Sequence, residues 1–186
     1  VICTDETGKP ANSVPLIFVS INNGVSWEMK QFNVDNKFNI NRFTDISLSG
    51  NGKIVLCEKE SYSSNKGFIW ISKNLGSTWQ QFNMEQTWIG VSISFNGRTI
   101  CAITEGIKES NTQWLHSVYL SENYGTSWNT FEIVMPGKLV SLSVSFDGKE
   151  ITFIDNNQFI WRSIKKASNT WDGILKKGEN FINNER

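Results

Sequence analysis

An excess of charge of either sign is missing from this chain: 18 Lys plus Arg balance 18 Asp plus Glu in 186 residues. No global field draws in nucleic acid or an anionic membrane, so neither is expected as a partner. No apolar run reaches the roughly 18 residues that insertion into a bilayer requires. Val1-Ile2-Cys3-Thr4-Asp5 has neither the charged nor the apolar region of a signal peptide. An initiator Met is also missing, which fits a processed product or a piece of something longer. Cysteine is scarce and odd in number. Cys3, Cys57 and Cys101 fall in β-rich runs with no C-x-x-C spacing, the pattern of packed free thiols. None of the 21 Asn opens an Asn-x-Ser/Thr sequon. Free thiols and absent sequons together point to an intracellular or virion-associated chain. His116 is the sole histidine and has no Cys or carboxylate at ligand spacing, so a packed imidazole is expected rather than a catalyst or metal ligand. No Gly-rich loop precedes a helix to cradle phosphate, and no cofactor is expected.

What is present is a repeat. Three octets match: Ser20-Ile21-Asn22-Asn23-Gly24-Val25-Ser26-Trp27, Ser72-Lys73-Asn74-Leu75-Gly76-Ser77-Thr78-Trp79 and Ser121-Glu122-Asn123-Tyr124-Gly125-Thr126-Ser127-Trp128. They recur about every 50 residues, a period of repeat architectures. A second motif keeps nearly the same period: Ile46-Ser47-Leu48-Ser49-Gly50-Asn51-Gly52, Val91-Ser92-Ile93-Ser94-Phe95-Asn96-Gly97 and Leu142-Ser143-Val144-Ser145-Phe146-Asp147-Gly148. Apolar residues alternating with Ser and then meeting Asn-Gly or Asp-Gly read as a strand entering a hairpin turn. We label that hairpin strands A and B. A variable loop leads to an aromatic strand C (Leu16-Ile17-Phe18-Val19, Phe68-Ile69-Trp70-Ile71, Ser117-Val118-Tyr119-Leu120, Gln158-Phe159-Ile160-Trp161), and the octet turns C into D. Four short antiparallel strands per unit, repeated at this period, are what a propeller blade requires. The expected fold is therefore all-β: about four four-stranded blades, near 1–38, 39–86, 87–137 and 138–180, with a tail at 181–186. The first blade enters at strand B without its innermost strand. Residues 181–186 lack the Ser alternation needed to supply it, so the chain is expected to be part of a larger ring.

The octet resembles the Asp box, or BNR repeat, S-x-D-x-G-x-T-W, of propellers in sialidases, sortilin-type receptors and photosystem assembly factors. Its structural residues here are Ser20, Asn22, Gly24 and Trp27; Ser72, Asn74, Gly76 and Trp79; and Ser121, Asn123, Gly125 and Trp128. Each copy carries Asn where the family usually has Asp, so a cation at these turns loses its charge partner. A fourth copy, from Ser163 to Trp171, is one residue too long and lacks the Gly. The resemblance implies that the octets lie on the face away from any active site, with Trp wedged between sheets. The topology agrees, because A-to-B and C-to-D turns share one face.

Ligands are then expected on the opposite face. That face is built from B-to-C loops near 4–15, 58–67, 104–113 and 155–158, and from D-to-A connections near 33–42, 84–88 and 133–138. They carry Asp35, Arg42, Glu58, Glu60, Tyr62, Trp88, Glu105 and Glu109, the candidate ligand-face residues. A sialidase would need three Arg converging on a carboxylate, with a Tyr and Glu pair. The only Arg are Arg42, Arg98, Arg162 and Arg186; Arg98 follows a turn on the wrong face, and no F-R-I-P-like segment occurs. Lys165-Lys166 and Lys176-Lys177 form a small basic cluster suited to an acidic partner or to edge protection. The function expected is a non-catalytic binding or scaffolding propeller that meets a protein partner or further blades. The alternative is part of a glycoside-processing enzyme or glycan-binding receptor. Richness in Asn, Lys and Ile hints at an AT-rich genome and a viral or microbial assembly component.

Overall fold

The computed structural model describes residues 2–4, 16–32, 42–59 and 66–173. They form sixteen strands in four antiparallel sheets, with no helix among the described residues. The first sheet has three strands, β1 (Ile2–Thr4), β2 (Leu16–Val19) and β3 (Glu28–Gln31). The second runs β4 (Arg42–Leu48), β5 (Ile54–Lys59), β6 (Gly67–Ser72) and β7 (Gln80–Gln86) in sequence order. The third is built from β8 (Trp88–Ile93), β9 (Ile100–Thr104), β10 (Ile107–Ser110), β11 (Gln113–Ser121) and β12 (Asn129–Met135). The fourth runs β13 (Leu139–Val144), β14 (Glu150–Asp155), β15 (Ile160–Lys165) and β16 (Trp171–Gly173).

The core lies in the seams between sheets. Phe32 of the first sheet packs edge-on against Phe43, Trp70 and Trp79 of the second. Val55, Cys57, Ile69 and Ile71 of the second sheet meet Trp88, Val91, Ile100, Ala102 and Tyr119 of the third. Cys101, Ile103, Val118 and Leu120 of the third meet Leu139, Val144, Ile151, Phe153 and Trp171 of the fourth. Successive residues of β9 thus point into opposite seams, the period-2 geometry of a strand buried on both faces. Burial of this kind stabilises by about 25 cal/mol per Å² of apolar surface.

The Ser alternation of strand A has two separate uses. The first Ser answers the next sheet: Ser47 Oγ accepts from Ile93 N–H at 3.2 Å, and Ser92 Oγ accepts from Val144 N–H at 2.9 Å. Asp45 adds a third such bond, taking Val91 N–H at 3.0 Å, while burial holds its carboxyl above the ordinary carboxylate range. An innermost strand leaves backbone donors unpaired along its free edge, and these side chains satisfy them. The second Ser staples its own turn. Ser49, Ser94 and Ser145 donate to Asn51, Asn96 and Asp147 at 2.5, 2.8 and 2.7 Å.

Three local readings need correction. Residues 104–113 are not an irregular loop, because β10 pairs with β11 (Ile107↔Leu115, Lys108↔Trp114) across Asn111-Thr112. Trp88 does not end a long connection. β7 reaches Gln86 and β8 begins at Trp88, so Thr87 alone joins those sheets. In the fourth sheet, strand C begins at Ile160 rather than Gln158, which takes φ of 68° in the preceding turn.

Candidate functional site

The two kinds of turn do share one face. Leu75 N–H bonds Gly52 O at 3.3 Å and Tyr124 N–H bonds Arg98 O at 3.0 Å, tying the second and third octets to the A-to-B turns of their own sheets. Within each octet the Ser hydroxyl takes the Gly N–H, at 2.8, 2.8 and 2.9 Å for Gly24, Gly76 and Gly125. The Asn amide does two jobs. In the second octet Asn74 Oδ1 accepts Thr78 N–H at 2.9 Å while Nδ2 donates to Thr78 Oγ1 at 2.9 Å, and Asn22 and Asn123 repeat this with Ser26 and Ser127. A carboxylate could only accept at that second position, so the amide closes the turn as a neutral unit. The residue before Gly takes positive φ as well: 56° at Asn23, 53° at Leu75 and 65° at Tyr124. Trp79 packs on Phe32 at 5.2 Å and Trp128 stacks on Phe82 at 4.7 Å, each reaching back onto the preceding sheet. Trp27 is exposed. In the fourth sheet a turn over 166–170 with Asn169 at φ of 59° replaces the octet, yet Trp171 remains buried.

The opposite face gathers its polar groups where the third and fourth sheets meet. His116 on β11 is buried. Leu139 N–H donates to its Nε2 at 3.1 Å, which places the proton on Nδ1, 3.3 Å from Thr104 O. Burial pushes its pKa below the usual value, with Lys138 adding to the effect and backbone groups of Thr104 and Gly137 opposing it. The ring sits so close to Gly106 that a Cβ there would fall 2.3 Å from Cε1, so only glycine fits beside it. Lys138 pairs with Glu105 at 2.7 Å and lies 5.6 Å from the Trp114 ring centroid. Its backbone exchanges bonds with Asn156, N–H to Oδ1 and O from N–H, both 2.8 Å. The Asp155 carboxylate accepts from Asn157 N–H, Phe159 N–H and Trp161 Nε1 at 2.9, 3.0 and 3.0 Å.

Of the candidate ligand-face residues, Glu105 belongs to this cluster and Glu109 stands exposed on β10. Trp88 is corrected: it is fully buried, donates Nε1 to Gly67 O at 3.0 Å and packs edge-on to Tyr119, so it cannot grip a ligand. Arg42 and Glu58 lie on β4 and β5, whose backbones carry them to neighbouring pairs (Arg42↔Lys59, Phe43↔Glu58). Asp35, Glu60 and Tyr62 lie outside the described residues, as do Lys176 and Lys177. Lys165 and Lys166 do not form a free basic patch, since Glu122 and Asp172 pair with them at 2.5 and 2.8 Å. Arg98 Nε is on the turn face, bonded to Glu122 O, and Arg162 makes a two-point pair with Glu150 at 3.1 Å. Among the described residues no three His, Cys, Asp or Glu form a group that could hold a metal ion. Lys138, Trp114, Asp155 and Asn156 were not singled out from sequence, although the connections at 133–138 and 155–158 pointed to their neighbourhood.

No protein-family model matches the chain, and no curated protein does. Solved structures do. The GH74 enzyme of Niastella koreensis superposes with a TM-score of 0.57 at 18% identity, over 89% of this chain and 27% of that one. The Dos1 propeller superposes at 0.51 with 10% identity, over 92% of this chain and 45% of that one. The fold is a β-propeller. The four sheets are its blades, and the chain spans about a quarter of the first protein's length and under half of the second's. At these identities the likeness concerns the fold alone, since one fold hosts many functions.

Proposed function

We propose that these blades form a non-catalytic binding or scaffolding module of the Asp-box kind, working within a larger assembly through a protein partner or further blades. One observation carries this reading: the polar groups gathered on the ligand-side face are already spent on bonds within and between the blades. His116 spends Nε2 on Leu139 N–H across the seam and Nδ1 on Thr104 O of its own blade, Asp155 accepts three donors from its own blade, and Glu105 is paired to Lys138 of the next blade. A general acid and base need reach to a substrate proton, which groups bonded in this way do not offer. Buried free thiols at Cys57 and Cys101 fit a reducing compartment. Incubation with β-glucan oligosaccharides and sialyl conjugates is expected to release no new reducing ends or sialic acid above buffer. Release that disappears in Glu105→Gln would overturn the reading.

The similarity to a GH74 enzyme supports a second reading, in which these blades belong to a glycoside-processing or glycan-binding propeller whose reactive carboxylates lie on other blades. Glycan-array binding by this chain, without turnover, would favour it.

A further inference from the structure

The second and third blades each present a rear face that the next blade covers through one repeated set of contacts. On the second, Ser47 Oγ takes Ile93 N–H and Gly50 N–H bonds Phe95 O at 2.8 Å. On the third, Ser92 Oγ takes Val144 N–H and Phe95 N–H bonds Phe146 O at 3.1 Å. Aromatic rings follow the same ladder. The Phe95 ring covers Gly50 so closely that a Cβ would fall 2.0 Å from it, and Phe146 stacks on Phe95 at 4.3 Å and 18°.

The fourth blade carries the same donors and acceptors with no partner among the described residues. Ser143 stands where Ser92 stands, yet Ser92 is 9% exposed and Ser143 is open to solvent. Phe146 is 71% exposed and its N–H meets no acceptor there. Val140, Ile154 and Ile160 add an apolar surface on the same blade, with Ile160 70% exposed. A sheet face of this kind marks an interaction site. Two positions depart from the inner seams. Thr152 and Arg162 occupy the places of Cys101 and Leu120, and Arg162 is held by Glu150.

We infer that the rear face of the fourth blade is an unfilled seam, and that its occupant is another propeller blade whose inner strand reads apolar-Ser-apolar-Ser and enters an Asx-Gly turn. Such a strand supplies the N–H for Ser143, the carbonyl for Phe146 N–H and the ring to continue the stack. A second copy of this chain fits less well, because its described strands of that pattern, β4, β8 and β13, already pack on the blade before them. Thr152 and the Arg162–Glu150 pair set a polar rung across β14 and β15 beside the apolar rung of Ile154 and Ile160, so the face selects a blade with polar groups opposite that rung and rejects a slipped one. The inference rests on reading the chain as part of a larger assembly.

The test appends a copy of residues 87–137 after Arg186, in the natural background and with Thr152→Val and Arg162→Leu together. The readout is amide hydrogen exchange at Phe146, with Phe95 as internal control. The Phe146 amide is expected to exchange at least tenfold more slowly in the extended chain than in the 186-residue chain, more so in the doubly substituted one, and Ser143→Ala should weaken the gain. Three results would overturn the inference: unchanged exchange in both extended chains, a Phe146 amide already protected in the monomeric 186-residue chain, or a dimer by sedimentation that Phe146→Asp dissociates. Hydrolytic activity would overturn the functional reading and leave these outcomes untouched.

Discussion

At the scale of single residues, His116 shows how a lone titratable group becomes a fastener. Its neutral ring donates from Nδ1 and accepts at Nε2, so the proton that would make it a cation has to displace Leu139 N–H. Its folded pKa is depressed, chiefly by burial. The unfolded chain therefore binds that proton first. Stability from this group is full above the unfolded value near 6.5 and is lost as pH falls below it towards the folded value. Asp45 works oppositely at lower pH, because its raised folded pKa favours the protonated native form there. The urea midpoint is expected to fall between pH 7 and 5. His116→Leu should flatten that fall while lowering stability at pH 7 by about 1–3 kcal/mol through the orphaned Leu139 N–H. An equal pH slope in both proteins would exclude the assignment.

At the scale of elements, the octet turns a C strand into D and drives its Trp back onto the preceding blade. Trp79 touches Phe32 across the first seam, while its own blade supplies Leu75 and Trp70 to the same cluster. Trp79→Ala removes that wedge and is expected to cost about 3–5 kcal/mol in chemical denaturation, as large aromatic truncations in cores do. An unchanged midpoint would mean that the turn alone, with its Ser72 and Asn74 bonds, holds the corner. These devices were legible beforehand because they are local: Asn-Gly turns, Ser alternation and Trp spacing each act within a few residues. β10 was not, since Ile107-Lys108-Glu109-Ser110 has one apolar residue and its Asn111-Thr112 turn lacks Gly. His116 and Leu139 are 23 residues apart, and nothing in either neighbourhood announces the bond between them. The candidate ligand face was legible only as a region, because loop carboxylates look alike in sequence whether they face solvent or, like Glu105, pair with a neighbouring blade.

At the scale of the whole molecule, stability in a repeat array is a sum of units and nearest-neighbour seams, so the blades could in principle separate one seam at a time. The third blade argues against that. Along β9, Ile100 and Ala102 enter the seam with the second blade while Cys101 and Ile103 enter the seam with the fourth, and all four are fully buried. Opening either seam strips one face of β9 and leaves a strand apolar on both sides half in water, which favours losing the other seam as well. Two native thiols report on this without any substitution: Cys57 lies in one seam and Cys101 in the other, both unpaired by disulfide. Burial also raises the Cys101 pKa, so little reactive thiolate forms in the folded chain. Both are expected to resist a bulky thiol reagent in the native protein and to become reactive at the same urea concentration, with the labelled peptides resolved by mass. Separate midpoints for Cys57 and Cys101 would show instead that the seams open independently and that β9 does not couple them.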